Sequence, residues 1–184
     1  MNSLWIAGGI VGVIVVYLWS LYNGLVSMKT GIEEAWSQID VQVKRRADLI
    51  PNLIETVKGY AKHEKTVFSD VTKARSAMIG ATTPQKMAQA SDMLSGALGR
   101  LLAIAENYPQ LKANENFTQL QKELSDTEDK VAYSRQYYNS TVMDYNVRIR
   151  VFPNNLIAAQ LGFGQKEFFG ATDEERKSVK VNFS

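Results

Sequence analysis

Few residues in this chain combine the types and spacing that chemistry needs. His63 is the only histidine, and it stands beside Glu64. An imidazole next to a carboxylate can act as a base or a metal ligand, but a metal shell needs further donors, and there is no second histidine and no cysteine. Any Ser-His-Asp triad would have to use the same histidine, and no Gly-x-Ser-x-Gly elbow is present. Asp40 and Glu55, accompanied by Gln38 and Asn52, border an apolar stripe. They are the carboxylates an acid–base site would use, but polar groups in such positions more often set the register of packed helices. Lys44-Arg45-Arg46 offers charge to anionic head groups, or forms a solvated helix face paired with Asp40 and Asp48. No phosphate-binding glycine loop is found, because Gly8, Gly9 and Gly12 fall inside an apolar run. The expectation is therefore no catalytic, cofactor or metal site, with function carried by architecture.

That architecture begins with the apolar run itself, Leu4 to Val26, which has no charged side chain. As a helix it spans roughly 35 Å, more than a hydrocarbon core of about 30 Å. Trp5 lies near one end and Trp19 and Tyr22 near the other, where amphipathic rings favour the interface. A cleaved signal peptide would carry a basic start and a small-residue cleavage site. Neither is present, so residues 1–27 are expected to remain as a membrane anchor. Gly8-x-x-x-Gly12 is the small-residue spacing that lets two membrane helices approach closely. Lys29 and the 44–46 run follow the span and nothing basic precedes it, which favours a cytoplasmic domain.

About 150 residues remain, enough for one domain with its own core. Charged residues are 22% and the net charge is +2, an ordinary globular surface rather than that of a nucleic-acid binder. Ile32, Trp36, Ile39, Val43, Ala47 and Ile50 recur at helical spacing, so the span runs on into an amphipathic helix. A break is expected at Pro51, with Asp48 capping a new helix; a turn near His63 is the alternative. Gly80 marks the end of that section. Thr83-Pro84 starts the next helix, Pro109 stops it, and Asn114 caps a long last helix carrying Phe117, Leu120, Tyr138, Val142, Tyr145 and Ile149. At close to 57 Å the last helix exceeds what the preceding helices are expected to cover. Phe152-Pro153 ends it, and Asn154 is placed to cap a short helix from Leu156 to Leu161, closed by Gly162. The tail then carries Phe163, Phe168 and Phe169, and finally Val179, Val181 and Phe183 in alternation, too apolar to stay undocked.

Three stretches are distinctive: Asp40 to Glu64, DVQVKRRADLIPNLIETVKGYAKHE; ENYPQLKANENFTQLQKEL; and TEDKVAYSRQYYNSTVMDYNVRIRVFP, followed by Gly162-Phe163 and Phe168-Phe169. Through them the chain resembles the bacterial LemA family over nearly its whole length. The resemblance implies an amino-terminal membrane helix, an antiparallel four-helix bundle and no established enzymatic activity. It also implies relatives associated with membrane shaping in magnetosome formation, and others encoded beside membrane proteases.

The expected protein is thus all-α: an anchor (1–27), a helical bundle (28–152) with Trp36, Ile39, Phe117 and Leu120 in its core, and a docking tail (153–184) that is part helical and part extended. Its expected partners are the lipid bilayer and copies of itself, with no nucleic acid and no cofactor. The expected role is a non-enzymatic scaffold, a high-order homo-oligomer whose interface includes Tyr138, Tyr145, Ile149, Phe163, Phe168 and Phe169, with tails docking across protomers. An adaptor for another membrane protein, such as a protease, is the second reading, and an enzyme built on Asp40 and Glu55 the third.

Overall fold

A computed structural model describes residues 2–170, with side chains from Leu4 onward. Among the described residues five α-helices run α1 (Asn2–Lys58), α2 (Lys65–Ile79), α3 (Pro84–Glu106), α4 (Pro109–Lys112) and α5 (Glu115–Arg150), followed by a 3-10 turn at Asn154–Leu156. Val179, Val181 and Phe183 lie outside the described residues.

α1 is one helix of 57 residues, roughly 85 Å long. The expected break at Pro51 does not occur. A proline inside a helix withholds one amide, which leaves the carbonyl four residues back without its partner. Here that carbonyl belongs to Ala47, and Nε of Arg75 on α2 donates to it at 2.7 Å. A donor from a neighbouring helix replaces the missing amide, so the helix continues to Lys58 and the turn falls at residues 59–64, beside His63.

Because α1 does not break, α5 has a partner of its own length. The register is antiparallel and constant. Trp36 meets Tyr138, Arg46 meets Glu128, and Tyr60 meets Asn114, so ten or fourteen residues forward on α1 match the same number back on α5. The part of α1 from Leu21 to Lys58 is about 57 Å long against about 54 Å for α5, and no part of α5 is left to project. The expectation of an overlong last helix rested on the break at Pro51.

α2 and α3, about 22 and 35 Å long, pack on each other and on α1, and make the bundle four-helical at its distal end. α3 opens as expected, with the Thr83 hydroxyl accepting from the Lys86 amide; α5 opens with Asn114 accepting from Phe117. Gly80 caps α2 at φ −83, an ordinary right-handed conformation that does not require glycine. Ile39 and Phe117 are buried in this core, whereas Trp36 and Leu120 pack against it half-buried.

One charged layer crosses the bundle. Arg46, 4% exposed, pairs with Glu128 on α5 and donates to Ser95 on α3 at 3.2 Å. Burial lowers its pKa, opposed by the Glu128 charge and hydrogen bond. The basic run is therefore split: Lys44 pairs with Asp40 at 2.6 Å on the surface, while Arg46 ties three helices together inside.

The core also reaches lower than the expected domain boundary. Leu21 and Leu25 are buried, and the Tyr17 hydroxyl donates to Oδ1 of Asn154 at 2.6 Å. The domain therefore closes around the upper part of the apolar run, not only beyond it.

Candidate functional site

Where α2 and α3 no longer reach, only α1 and α5 remain, and the groove between them holds the chain's own tail. α5 supplies a repeated dipeptide, Tyr138-Asn139 and Tyr145-Asn146, seven residues apart. Seven residues are close to two helical turns, so both pairs face the same side, about 10.5 Å apart along the axis. The tail crosses them extended and antiparallel to α5. Tyr145 donates its hydroxyl to the Gly164 carbonyl at 3.1 Å, and Tyr138 to the Glu167 carbonyl at 3.0 Å. The Asn146 amide holds both main-chain groups of Lys166, each at 2.8 Å. The Asn139 amide does the same for Phe169, at 3.0 and 2.8 Å.

The spacing explains the repeat. The two tyrosine–asparagine pairs bind equivalent tail residues three apart, Gly164 and Glu167, then Lys166 and Phe169, and three extended residues cover about 10 Å. Two turns of helix and three residues of strand are the same length, so the second pair repeats the first without strain. Six hydrogen bonds to main-chain atoms hold the tail, and none of them depends on a tail side chain.

Side chains add the apolar part. Phe163 packs edge-on against Tyr22 at 5.7 Å between ring centres, and Phe169 lies 6.3 Å from Trp36, itself edge-on to Tyr138 at 5.8 Å. The Arg135 guanidinium covers the Phe169 ring at 4.7 Å. Gly170 follows with φ +76, a backbone conformation that favours glycine; a Cβ there would come within 2.6 Å of Nη2 of Arg135 and displace the end of that side chain. Burial raises the pKa of both tyrosines, and for Tyr138 the Glu167 charge raises it further. Both phenols therefore stay protonated donors through the neutral range.

The six residues expected at an oligomer interface are thus used within one chain. Tyr138, Tyr145, Ile149, Phe163 and Phe169 are buried and Phe168 is half-buried. The tail docks on its own bundle, because no other described segment covers the α1–α5 groove there. Asn139 and Asn146, which do most of the holding, were not among the expected site residues, although the tyrosine–asparagine repeat at seven-residue spacing was visible in the sequence. The expected short helix after Asn154 is only the 3-10 turn, since the Asn154 side chain is taken by Tyr17 and by the Arg148 carbonyl and caps nothing.

The candidate chemistry is not brought together. Asp40 and Glu55 lie on one continuous helix about 22 Å apart along its axis, and Glu55 pairs instead with Lys58 at 2.8 Å. His63 is exposed in the turn after α1. Among the described residues no group of three metal-binding side chains occurs. Gly8, Gly9 and Gly12 face open space, with nothing within 4 Å of an added Cβ.

An apolar helix that is only 6% buried over its most apolar stretch, continuous with an antiparallel bundle latched by its own tail, defines a helical-bundle protein with a candidate single membrane span. The LemA family model matches residues 35–183, which include the bundle and the latch, and the chain belongs to that family. Protein LemA of Metamycoplasma hominis is 28% identical over 164 residues, 87% of this chain and 74% of that protein. Magnetosome protein MamQ of Magnetospirillum gryphiswaldense is 28% identical over 174 residues, 80% of this chain. Magnetosome protein MamQ 1 of Paramagnetospirillum magneticum matches at the same identity and coverage. The chain spans 64% of the length of these MamQ relatives.

Proposed function

We propose that this protein is a non-enzymatic scaffold of the bacterial inner membrane, anchored by α1, that self-associates through its span into a high-order homo-oligomer and organises the bilayer around it. The observation that carries the reading is the bare span. Among the described residues nothing covers residues 4–16, and Gly8 and Gly12 share one open face. Membrane helices associate through such small-residue faces, where backbones approach closely and no cavity is left. The tail residues are already engaged within the chain, which favours the span as the contact between copies. Two of the relatives are named for the magnetosome, and the association of such relatives with membrane shaping favours organisation of a bilayer over catalysis. Lys29, the first charge after the span, favours a bundle on the cytoplasmic side.

Native mass spectrometry of the full-length protein in mild detergent tests the reading. An oligomer of many copies is expected, and Gly8→Ile with Gly12→Ile should reduce it to monomer while the bundle stays folded by circular dichroism. A wild-type monomer that captures one different membrane protein would instead support an adaptor role.

A further inference from the structure

The foot of the domain sits lower on the span than a domain standing clear of the membrane could. An apolar helix needs roughly 20 residues to cross a bilayer core. Counted from Leu4, beside the interfacial Trp5, that length reaches about Asn23. Yet the domain already grips α1 at Tyr17, through Asn154, and covers Leu21. Residues 4–16 are exposed on every side, roughly 20 Å of helix, whereas beyond them one side is covered and Trp19 and Tyr22 stay open on the other. The corner that follows α5 is therefore held about 9 Å below the level of Asn23.

The corner is built for that depth. From Val151 to Gln165 there is no charged residue. Phe152 is 78% exposed and Leu156 59%, with Val151 and Leu161 also open to the surroundings. Beyond residue 5 no other large apolar side chain among the described residues is as exposed as Phe152. Its main chain is largely closed on itself: the amides of residues 155–158 and 161–163 all donate to carbonyls within the corner. Backbone in contact with lipid must be satisfied internally in this way. The buried Asn154 amide is also used at both ends, by Tyr17 and by the Arg148 carbonyl. Basic residues flank the apolar stretch, Arg148 and Arg150 before it and Lys166 after it; the acidic neighbours are Asp144 and Glu167.

We propose that residues 151–161 form a second membrane contact, a wedge seated among the lipid head groups and upper acyl chains of the leaflet on the domain side. Phe152 and Leu156 are its inserted side chains, and Arg148 and Arg150 lie at the phosphate level. The occupant of this surface is lipid, because the surface is continuous with the span and held at a fixed height on it. The inference rests on the span reading and deepens it: material inserted into one leaflet beside the helix enlarges that leaflet alone.

Because the chain has no cysteine, single labels can be placed freely. Full-length protein carrying Phe152→Cys, Val13→Cys or Tyr133→Cys, each bearing an environment-sensitive fluorophore, is reconstituted in phosphatidylcholine–phosphatidylglycerol vesicles. Nitroxide lipids then quench the label at shallow or deep chain positions. Label at Phe152 should be quenched most by the shallow nitroxide, at Val13 by the deep one, and at Tyr133 by neither. Quenching at Val13 without quenching at Phe152 overturns the wedge and leaves the span standing. No quenching at either position overturns the span, and the wedge with it.

Discussion

Asn146→Ala tests the latch most directly. The substitution removes two hydrogen bonds, Lys166 amide to Oδ1 and Nδ2 to Lys166 carbonyl, each 2.8 Å. Net contributions of such bonds are about 1 kcal/mol each, so docking should weaken by about 2 kcal/mol, or roughly 30-fold in its equilibrium constant. Asn146 is 9% exposed, so little water is at hand to replace the lost partners. Asn146→Asp should cost at least as much, because the carboxylate keeps an acceptor for the Lys166 amide but faces the Lys166 carbonyl with no donor. Hydrogen exchange of the full-length protein in detergent reads the result. The Lys166 amide should lose protection, and so should the Phe169 amide three residues on, whose own partner Asn139 is untouched. Loss at both positions means the tail undocks as a unit. If Lys166 alone responded, or if neither did, the two tyrosine–asparagine pairs would not be acting together and the account of their matched spacing would be wrong.

Arg75→Ala should destabilise the bundle by about 1–3 kcal/mol by stranding the Ala47 carbonyl. Combined with Pro51→Ala, which restores an amide to that carbonyl, the loss should shrink, and a denaturant double-mutant cycle measures the difference. Glu128→Leu strands a buried cation and should cost about 3 kcal/mol. Arg46→Leu should cost less in the same thermal melts, because the Glu128 carboxylate left behind is 44% exposed and water can reach it. The latch should also fail in alkali. Tyr138 and Tyr145 ionise more easily undocked than docked. Their contribution is therefore fully present below about pH 10 and is lost as pH rises through the raised folded-state values. Protection of the Phe169 amide, corrected for the intrinsic rate, follows that loss.

Helical periodicity, capping residues and the charge-free run made the helix content, the long apolar first helix and the starts of α3 and α5 legible in the sequence alone. Thr83 and Asn114 are local signals: a side-chain oxygen two or three residues before an orphan amide needs nothing distant to act. Pro51 is the opposite case. Its local meaning is a break, and only Arg75, 24 positions away, supplies the donor that cancels it. From that one contact follow the length of α1, its match to α5 and the absence of a projecting last helix. Arg46 reads as surface charge until Glu128 and Ser95 are brought beside it from two other helices. The tail's need for a surface was plain from its phenylalanines. Which surface it took was decided by tertiary structure, because α2 and α3 are too short to cover the lower groove and, among the described residues, the tail is the apolar segment that lies on it. The tyrosine–asparagine repeat stood in the sequence throughout. Its meaning depends on an extended strand lying antiparallel to it, and no local rule places one there.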